Sequence, residues 1–340
     1  MENTNPASDW RTLTLANLNV LNLAAPGHAF YPNDEPYDAA EYARKTAWLG
    51  EQLRRLNADV ACFEEVWDES ALRDVVAASG LRYTSIIAPG AEAGASGTPR
   101  LGLATRLPLL EVASLHDFPP GMEVDVPELG KHASFERPVL HARLQATPDV
   151  VLDVLVVHLK SQRPKFLIDD NGRALEDRND PAIIARARLR ALIIRGAEAA
   201  ALRSTVARLL ARTNTPLVLA GDLNDSPDSV TSQIVAATSE VAYDRGARDT
   251  ALWHAADVQT GVALRRDVAY SHIHQGNPVV LDQIWVSEEF VPGSRFALGD
   301  VRRVDYFNDH LNEGRSRVRS DHGFVRALLR LRVPPRDKQR

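Results

Sequence analysis

The chain has 340 residues, of which 44% are hydrophobic and 25% charged, so it has enough apolar material for the core of one large α/β domain. Its formal net charge of −5 argues against a protein that coats long nucleic acid non-specifically, so contact with phosphate must come from a local patch or a metal. The single cysteine, Cys62, excludes an intramolecular disulfide and a Cys-rich zinc site, and we expect it to be buried as a small hydrophobe.

The first residues lack the basic and then apolar segments of a secretory signal, and no run reaches the ~18 apolar residues of a membrane span. We therefore expect a cytoplasmic protein without a membrane span, although a chain from which a leader had been removed would look the same. The composition predicts a flexible N-terminus at residues 1–10 and a flexible tail at 333–340, which leaves 11–332 as a single domain. No obligate protein partner is evident.

Short β-rich runs alternate with helical patterns along this domain. Strands are predicted at 12–18, 59–63, 83–87, 101–105, 139–144, 150–157, 216–220, 280–286 and 323–331. Helices are predicted at 38–56, 68–79 and 181–212, with a fourth that begins near Ser229, and long loops are predicted at 88–100, 116–134 and 163–180. Because strands and helices alternate only part of the time, the pattern favours an α/β (α+β) fold with mixed sheets over a βαβ barrel.

Polar residues recur where the predicted strands end. Asn19 and Asn22 follow the first strand, and Glu64 and Glu65 follow the second. The same pattern appears later in the chain at His158, Lys160 and Ser161, at Asp222, Asn224 and Asp225, at Asp282, and at Asp321 and His322. If these strands share one sheet or two packed sheets, their ends converge on one rim that holds carboxylates, carboxamides, imidazoles and one ammonium.

This inventory of side chains suits phosphate chemistry. Carboxylate and carboxamide oxygens are hard ligands that fit Mg²⁺ or Mn²⁺, and such an ion neutralises phosphate charge. Lys160 is placed to hold a phosphate oxygen, and no Walker loop, Gly-x-Ser-x-Gly elbow or His-Glu-x-x-His motif offers other chemistry. Each residue alone also has an ordinary structural explanation, Asn19 as a turn former and His158 as a core histidine. The ordered set favours a divalent-metal-dependent phosphoesterase that cleaves a P–O bond with water.

Taken in order, the motifs resemble those of the endonuclease/exonuclease/phosphatase superfamily, which has the deoxyribonuclease I-like fold. They are Asn-Val-Leu-Asn (19–22), Phe-Glu-Glu-Val (63–66), Val-His-Leu-Lys-Ser (157–161), Gly-Asp-Leu-Asn-Asp (221–225), Leu-Asp-Gln-Ile-Trp-Val-Ser (281–287) and Ser-Asp-His-Gly (320–323). The resemblance spans residues 12 to about 330. It implies a bacterial-type member with a four-layer α/β/β/α sandwich of two packed mixed sheets, and with the catalytic site of the 11–332 domain at one rim.

The resemblance also implies a metal site and a substrate site. Glu65 would be the main ligand of Mg²⁺ or Mn²⁺, with Asn19 and Asp321 beside it or bridged through water. The residues expected to bind phosphate or substrate are Lys160, Ser161, Asn22 and Arg163.

The implied catalytic residues divide the chemistry among them. Asp222 would position or deprotonate the attacking water, and Asn224 would hold a phosphate oxygen. His322, paired with Asp282, would contact the scissile phosphate or act as an acid or base, and His158 would contact the phosphate from the opposite side.

Four positions depart from the usual pattern. Glu64 stands where Gln is usual, Gln283 where His is common, and Gly323 where Asp-Pro often follows. A carboxylate position of abasic-site nucleases is Leu21 here, which argues against that branch.

We predict a phosphodiesterase that works by in-line water attack, with nucleic acid, DNA or RNA, as the leading substrate. Residues 157–161 resemble the version found in bacterial nucleases of the superfamily. Basic residues also gather in the flanking loops and helix, at Lys160, Arg163, Lys165, Arg173, Arg186 and Arg188, and at Arg315, Arg317 and Arg319. The net acidity favours a short or single-site substrate.

Two alternatives stay open. The first is a phosphatase, or a lipid or nucleotide phosphodiesterase, that uses the same site, although no exposed apolar hairpin points to a lipid. The second is a degenerate member that only binds partners, and the full set of polar residues argues against it.

Overall fold

The computed structural model describes residues 10–31, 34–91, 97–169, 172–265, 267–314 and 316–333. The predicted flexible segments 1–10 and 333–340 lie outside these residues, apart from Trp10, which begins the first strand, and Val333. In this part of the chain no helix has the length and apolar character needed to cross a membrane.

The strands are, in chain order, β1 (Trp10–Leu23), β2 (Val60–Val66), β3 (Ser85–Ile87), β4 (Arg100–Thr105), β5 (Leu109–Asp117), β6 (Val124–Val126), β7 (Gly130–His132), β8 (Ser134–Thr147), β9 (Val150–His158), β10 (Leu217–Asp222), β11 (Trp253–His254), β12 (His272–His274), β13 (Asn277–Val279), β14 (Asp282–Val286), β15 (Gly299–Phe307) and β16 (Phe324–Arg332). The α-helices are α1 (Ala39–Leu56), α2 (Glu69–Ser79), α3 (Pro181–Leu210), α4 (Val230–Ala236) and α5 (Ala255–Val258).

Two six-stranded mixed sheets form the centre of the fold. The first sheet has the order β15-β16-β1-β2-β4-β3, with β1 parallel to β2 and antiparallel to β16. The second has the order β11-β14-β10-β9-β8-β5, with β10 parallel to β9 and antiparallel to β14. Strands β6 and β7 pair as a separate two-stranded sheet, and so do β12 and β13.

Three apolar clusters stack these sheets into four layers. One cluster fills the space between the sheets, where Leu15 of the first sheet and Val154 of the second are both buried. A second joins α1 and α2 to the outer face of the first sheet, and a third joins α3 and α4 to the outer face of the second. The predicted α/β/β/α sandwich is therefore confirmed, and Cys62 is buried in the central layer as expected.

Helix α1 illustrates why these residues fold locally as they do. Asp38 accepts a hydrogen bond from the backbone N–H of Glu41, and the Glu41 side chain accepts one from the backbone of Asp38, which closes a capping box. Leu49, Leu53 and Leu56 then recur on one face and are buried against the first sheet.

Each predicted strand and helix overlaps an observed one, but several strands were not predicted. The loop predicted at 116–134 is wrong, because β6 and β7 lie inside it; these three-residue strands flank a Pro-containing turn and carry little periodicity. Strand β15 was missed because its register shifts between Val301 and Arg303, which breaks the alternation on which strand prediction depends. The edge strand β5 and the β12–β13 hairpin were also missed.

Candidate active site

The polar residues singled out in the sequence lie at one rim of the sandwich. In the second sheet, His158, Asp222 and Asp282 end or begin three adjacent strands, and the strand register places Asp222 directly between the other two. In the first sheet, Asn19 of β1 is paired in register with Glu64 of β2. The regular hydrogen bonding of the strands thus brings residues that are far apart in sequence together in one site.

Glu65 leaves the regular strand conformation at this rim. Its φ of 64° is in the left-handed region, which a non-glycine residue seldom adopts. One carboxylate oxygen lies 3.4 Å from Nδ2 of Asn19, and the other accepts a hydrogen bond of 3.0 Å from the backbone N–H of Asn22. The strained backbone therefore aims the carboxylate across the end of β1.

Asn22 is fixed by a second contact. The indole N–H of Trp67 donates to its side-chain oxygen at 3.1 Å. Leu21 and Asn22 also have left-handed backbones, with φ of 50° and 53°. The backbone N–H of Asn22 thus holds the Glu65 carboxylate, and the residue also lines an adjoining groove.

Asp222 lies at the centre of the site. Its Oδ2 lies 3.3 Å from Nδ2 of Asn19, 3.4 Å from Nε2 of His158 and 3.9 Å from Nε2 of His322. Its Oδ1 accepts a hydrogen bond of 2.8 Å from the backbone N–H of Asn224. The carboxylate therefore contacts groups from both sheets.

The glycine before Asp222 is required by a close approach of two strands. A Cβ atom at Gly221 would lie 1.9 Å from the carbonyl oxygen of Val157 in β9. No side chain fits in that space, so the Gly-Asp pair lets β10 approach β9 closely at the point where it presents Asp222.

His322 and Asp282 form a buried pair across the two sheets. Nδ1 of His322 lies 2.8 Å from Oδ2 of Asp282, which directs Nε2 toward Asp222. Burial disfavours the imidazolium, but Asp282 and Asp222 outweigh that effect and raise the pKa of His322 well above its ordinary value. The side chain is accordingly protonated near neutral pH.

The other two titrating groups respond to burial in different ways. Burial, helped by the charges of Arg137 and His322, holds the pKa of His158 well below its ordinary value, so this imidazole is neutral. Burial also raises the pKa of Asp222 to about 7; Asp282 adds to this rise, and His322 opposes it. The site therefore contains one neutral and one cationic imidazole on either side of a carboxyl group.

Serine and histidine side chains fix the backbone around this pair. Ser320 Oγ donates to the carbonyl of Asn19 at 2.6 Å and accepts from the backbone N–H of His322 at 3.0 Å, which ties the last motif to β1. Ser271 Oγ accepts from the backbone N–H of Asp282 at 2.9 Å. The ring of His272 lies 4.8 Å from that of His322 and covers it from the hairpin side.

The predicted phosphate ligands lie in different surroundings. Lys160 is buried, and its amine donates to Ser161 O, Ser161 Oγ and Arg163 O, at 3.1, 3.2 and 3.4 Å. One N–H of the Asn224 carboxamide is taken by the carbonyl of Leu159 at 2.9 Å. The Lys160 amine is thus used to shape its own loop, whereas Arg163 is exposed and has no side-chain partner among the residues described.

An open groove of about 830 Å³ begins at the site. Asn22, Asp321 and Arg163 line it. Its other walls come from the loop after β1 and from the β12–β13 hairpin, with the residues Phe30, Tyr37, His272, Ile273 and Arg317.

Sequence reasoning missed Arg137 in β8. Its guanidinium donates to the carbonyls of His158 and Leu159, at 3.3 and 3.1 Å, and its buried Nε has no partner among the residues described. Arg137 lies two residues before the predicted strand 139–144, so a search for polar residues next to strand ends could have found it.

Glu64 and Gln283, which depart from the family pattern, face inward. Gln283 accepts from the indole of Trp285 at 2.8 Å and donates to the carbonyl of Asp225 at 2.6 Å, so it links β14 to the Gly-Asp-Leu-Asn turn. Glu64 is fully buried between the sheets, where burial, with the charges of Asp282 and Asp222, raises its pKa well above the ordinary value. The raised pKa favours the neutral form of Glu64 and so limits the negative charge that this departure from the family pattern brings to the site.

The donor set fits a hard divalent cation. Glu65 and Asp321 offer carboxylate oxygens, and Asp321 is exposed at the groove. Asn19 directs its amide nitrogen at Glu65, while its side-chain oxygen accepts from the backbone N–H of Leu21 at 3.2 Å. Within the described residues, a second group of possible ligand atoms, from Asp222, Asp282 and His322, lies within 4.8 Å of one another. The amide nitrogen of Asn19 lies within 3.4 Å of the Glu65 carboxylate and 3.3 Å of the Asp222 carboxylate, so it links Glu65 to this group.

Comparison with known proteins agrees with this geometry. A model of the endonuclease/exonuclease/phosphatase family matches residues 16–322. A family member from Bacteroides thetaiotaomicron has 15% sequence identity and a TM-score of 0.55, over 96% of this chain and 97% of that one. D. rerio TDP2 complexed with single strand DNA product has 13% identity and a TM-score of 0.52, over 94% and 98%. A mannosyl-6-phosphatase from Bacteroides thetaiotaomicron has 14% identity and a TM-score of 0.53, over 93% and 99%.

No curated protein sequence matches the chain significantly. The structural neighbours share the fold at low identity, whereas the family model covers most of the chain. The chain therefore belongs to the endonuclease/exonuclease/phosphatase family and is a divalent-metal-dependent hydrolase that acts on phosphate ester bonds.

Proposed function

We propose that this hydrolase is a Mg²⁺- or Mn²⁺-dependent phosphodiesterase that cleaves short or single-stranded nucleic acid. The observation that carries the proposal is a groove of about 830 Å³ beside the Asp222–His322–Asp282 cluster: it is lined by Asp321 and by His272, whose ring lies 4.8 Å from that of His322. A phosphodiester has substituents on both sides of the phosphorus, and a groove that leads away from the reacting group gives the second substituent a place to bind. The volume lies in the range of ligand sites in proteins.

Glu65, Asn19 and Asp321 would hold the divalent cation, which when bound neutralises charge on the phosphate. Asp222 faces the space between His158 and His322, so it orients the attacking water and accepts its proton. As the water oxygen bonds to phosphorus, the bond to the leaving oxygen breaks in line, and that oxygen takes a proton from solvent.

His322 supports the same reaction as a hydrogen-bond donor. Its Nδ1 is held by Asp282, so Nε2 is the atom that faces the substrate. A fixed cationic donor stabilises the negative charge that builds on the phosphoryl oxygens. The guanidinium of Arg137, beside His158, adds positive charge on the opposite side.

The distribution of charge supports a short or single-stranded substrate. Four of the eight described basic residues predicted to flank the site are engaged by carboxylates: Lys165 by Glu136, Arg186 by Glu128, Arg317 by Glu41 and Arg319 by Glu313. Lys160 donates to carbonyl and hydroxyl oxygens of its own loop. Arg315 lies outside the described residues. Affinity for long duplexes comes from many phosphate contacts, and few free cations remain here to make them.

A substrate panel tests the proposal. Purified protein with Mg²⁺ or Mn²⁺ is expected to hydrolyse bis-p-nitrophenyl phosphate, single-stranded DNA and RNA oligonucleotides in preference to p-nitrophenyl phosphate, sugar 6-phosphates, phosphoinositides and plasmid duplex. Hydrolysis of the monoesters alone would identify a phosphatase instead. Activity that survives EDTA would remove the metal from the proposal.

A further inference from the structure

Lys45 is a buried amine that the proposed chemistry does not use. It lies in α1 with 0% exposure, which is rare for lysine. Among the described residues no carboxylate lies within ion-pair distance of it. Its Nζ instead donates to two carbonyl oxygens, that of Leu21 at 2.7 Å and that of Arg317 at 3.3 Å.

Tyr37 binds the same two carbonyls. Its hydroxyl lies 3.4 Å from the oxygen of Leu21 and 3.3 Å from that of Arg317. Its ring lies 5.3 Å from Nζ of Lys45 and 5.0 Å from the guanidinium of Arg317, at cation–π distance from both. An amine and a phenol thus join two segments that are far apart in the chain.

The two joined segments supply the candidate metal ligands. Leu21 lies two residues after Asn19, in the left-handed turn that also presents Asn22 to Glu65. Arg317 begins the loop that ends at Ser320 and Asp321. Because Glu65 comes from a third element, the spacing of the two segments sets how closely its partners approach it.

We propose that Lys45, assisted by Tyr37, is a positioning residue that holds these two segments at the separation that a divalent cation requires. The proposal rests on the metal role in the proposed function. Both protonation states of the amine supply the two N–H donors that the carbonyls need, so the contact does not depend on pH. Contacts that orient metal ligands typically change metal affinity by 10–100-fold when removed.

The test compares Lys45→Met with the control Gln52→Met. Gln52 is also a buried polar residue of α1, but its side chain contacts Arg55 and neither of the two segments. We expect Lys45→Met to weaken Mg²⁺ binding about tenfold by calorimetry and to lower kcat at limiting Mg²⁺. Excess Mg²⁺ should restore kcat, with KM for bis-p-nitrophenyl phosphate unchanged. Gln52→Met should retain wild-type Mg²⁺ affinity.

Hydrogen exchange separates this proposal from the proposed function, because it needs neither metal nor turnover. Amides in residues 19–23 and 316–322 should exchange faster in Lys45→Met and not in Gln52→Met. If Lys45→Met fails to fold, Tyr37→Phe provides the same test, with about a threefold loss of Mg²⁺ affinity expected. Wild-type Mg²⁺ affinity and wild-type exchange in these variants would overturn the positioning role, even if phosphodiester hydrolysis is confirmed.

Discussion

The two halves of the site are built in different ways. The phosphoryl half comprises His158, Asp222 and Asp282 of the second sheet with His322, and regular strand register places its three sheet residues side by side. The half that we propose to bind the metal, called the metal-binding half below, comprises Asn19, Glu65 and Asp321, and it depends on irregular backbone at Leu21, Asn22 and Glu65 and on side-chain contacts from α1. Register alone can place the proposed general base and its partners, whereas the proposed metal ligands need strained backbone that distant residues support.

We expect substitutions in the metal-binding half to cause the largest loss of activity. Glu65→Gln keeps the shape of the side chain but removes the charge that a divalent cation requires. We expect kcat to fall by at least about 10³-fold, because loss of the ion removes several kcal/mol of transition-state stabilisation. Steady-state kinetics on bis-p-nitrophenyl phosphate measure this, with an unchanged Tm in EDTA as the control for folding. A residual rate within about tenfold of wild type would contradict the assignment.

The phosphoryl half should show somewhat smaller and non-additive losses. Asp222→Asn and His322→Gln are each expected to lower kcat by about 10²-fold or more, the usual scale for acid–base and electrostatic groups. Because both act on one transition state, the double variant should lose much less than the product of the two single losses. Fully multiplicative losses would show that the two side chains act independently, which their 3.9 Å separation makes unexpected.

The difference between the two halves also decides which residues of the site could be predicted from the sequence. The residues of the phosphoryl half each adjoin a strand end, and strand ends follow from hydrophobic runs, so all four could be singled out. The contacts of Lys45 with Leu21, of Tyr37 with Arg317 and of Trp67 with Asn22 join elements that are distant in sequence, and no local pattern encodes them.

The fold shows a related limit. Strands with buried alternating residues were predicted, whereas the exposed edge strand β5 and the bulged β15 were not, because their burial patterns carry weak or broken periodicity. The burial of Lys45 also contradicts the expectation from its residue type, since a lysine on an amphipathic helix usually lies on the exposed face.

A smaller effect is expected where the site meets the groove. Arg163 is exposed along the groove, whereas Lys165 is held by Glu136 at 2.9 Å. Arg163→Gln should raise KM for a single-stranded oligonucleotide about fivefold, the scale of one exposed ion pair, with little change for bis-p-nitrophenyl phosphate. Lys165→Gln is the matched control and should leave both values near wild type. Equal effects on the two substrates would place Arg163 outside the substrate path.

A further predicted effect is on stability instead of activity, and it concerns Lys45. Burial lowers the pKa of Lys45 to about 7; Glu65 and Asp321 oppose this shift and Arg317 adds to it. Between pH 7 and the ordinary lysine pKa, the unfolded chain therefore binds more protons than the folded one, so stability rises with pH. In EDTA, the free energy of unfolding of wild type relative to Lys45→Met should rise over this window, by up to about 1.4 kcal/mol per pH unit. A flat difference would show that Lys45 titrates normally.

The most direct test of the division into two halves is a calorimetric Mg²⁺ titration of wild type, Glu65→Gln and His322→Gln, each without substrate. The division predicts that Glu65→Gln loses Mg²⁺ affinity by at least about tenfold, whereas His322→Gln binds Mg²⁺ as wild type does although it turns over slowly. Wild-type Mg²⁺ affinity in Glu65→Gln together with lost affinity in His322→Gln would contradict it, and would place the ion in the Asp222–Asp282–His322 cluster instead.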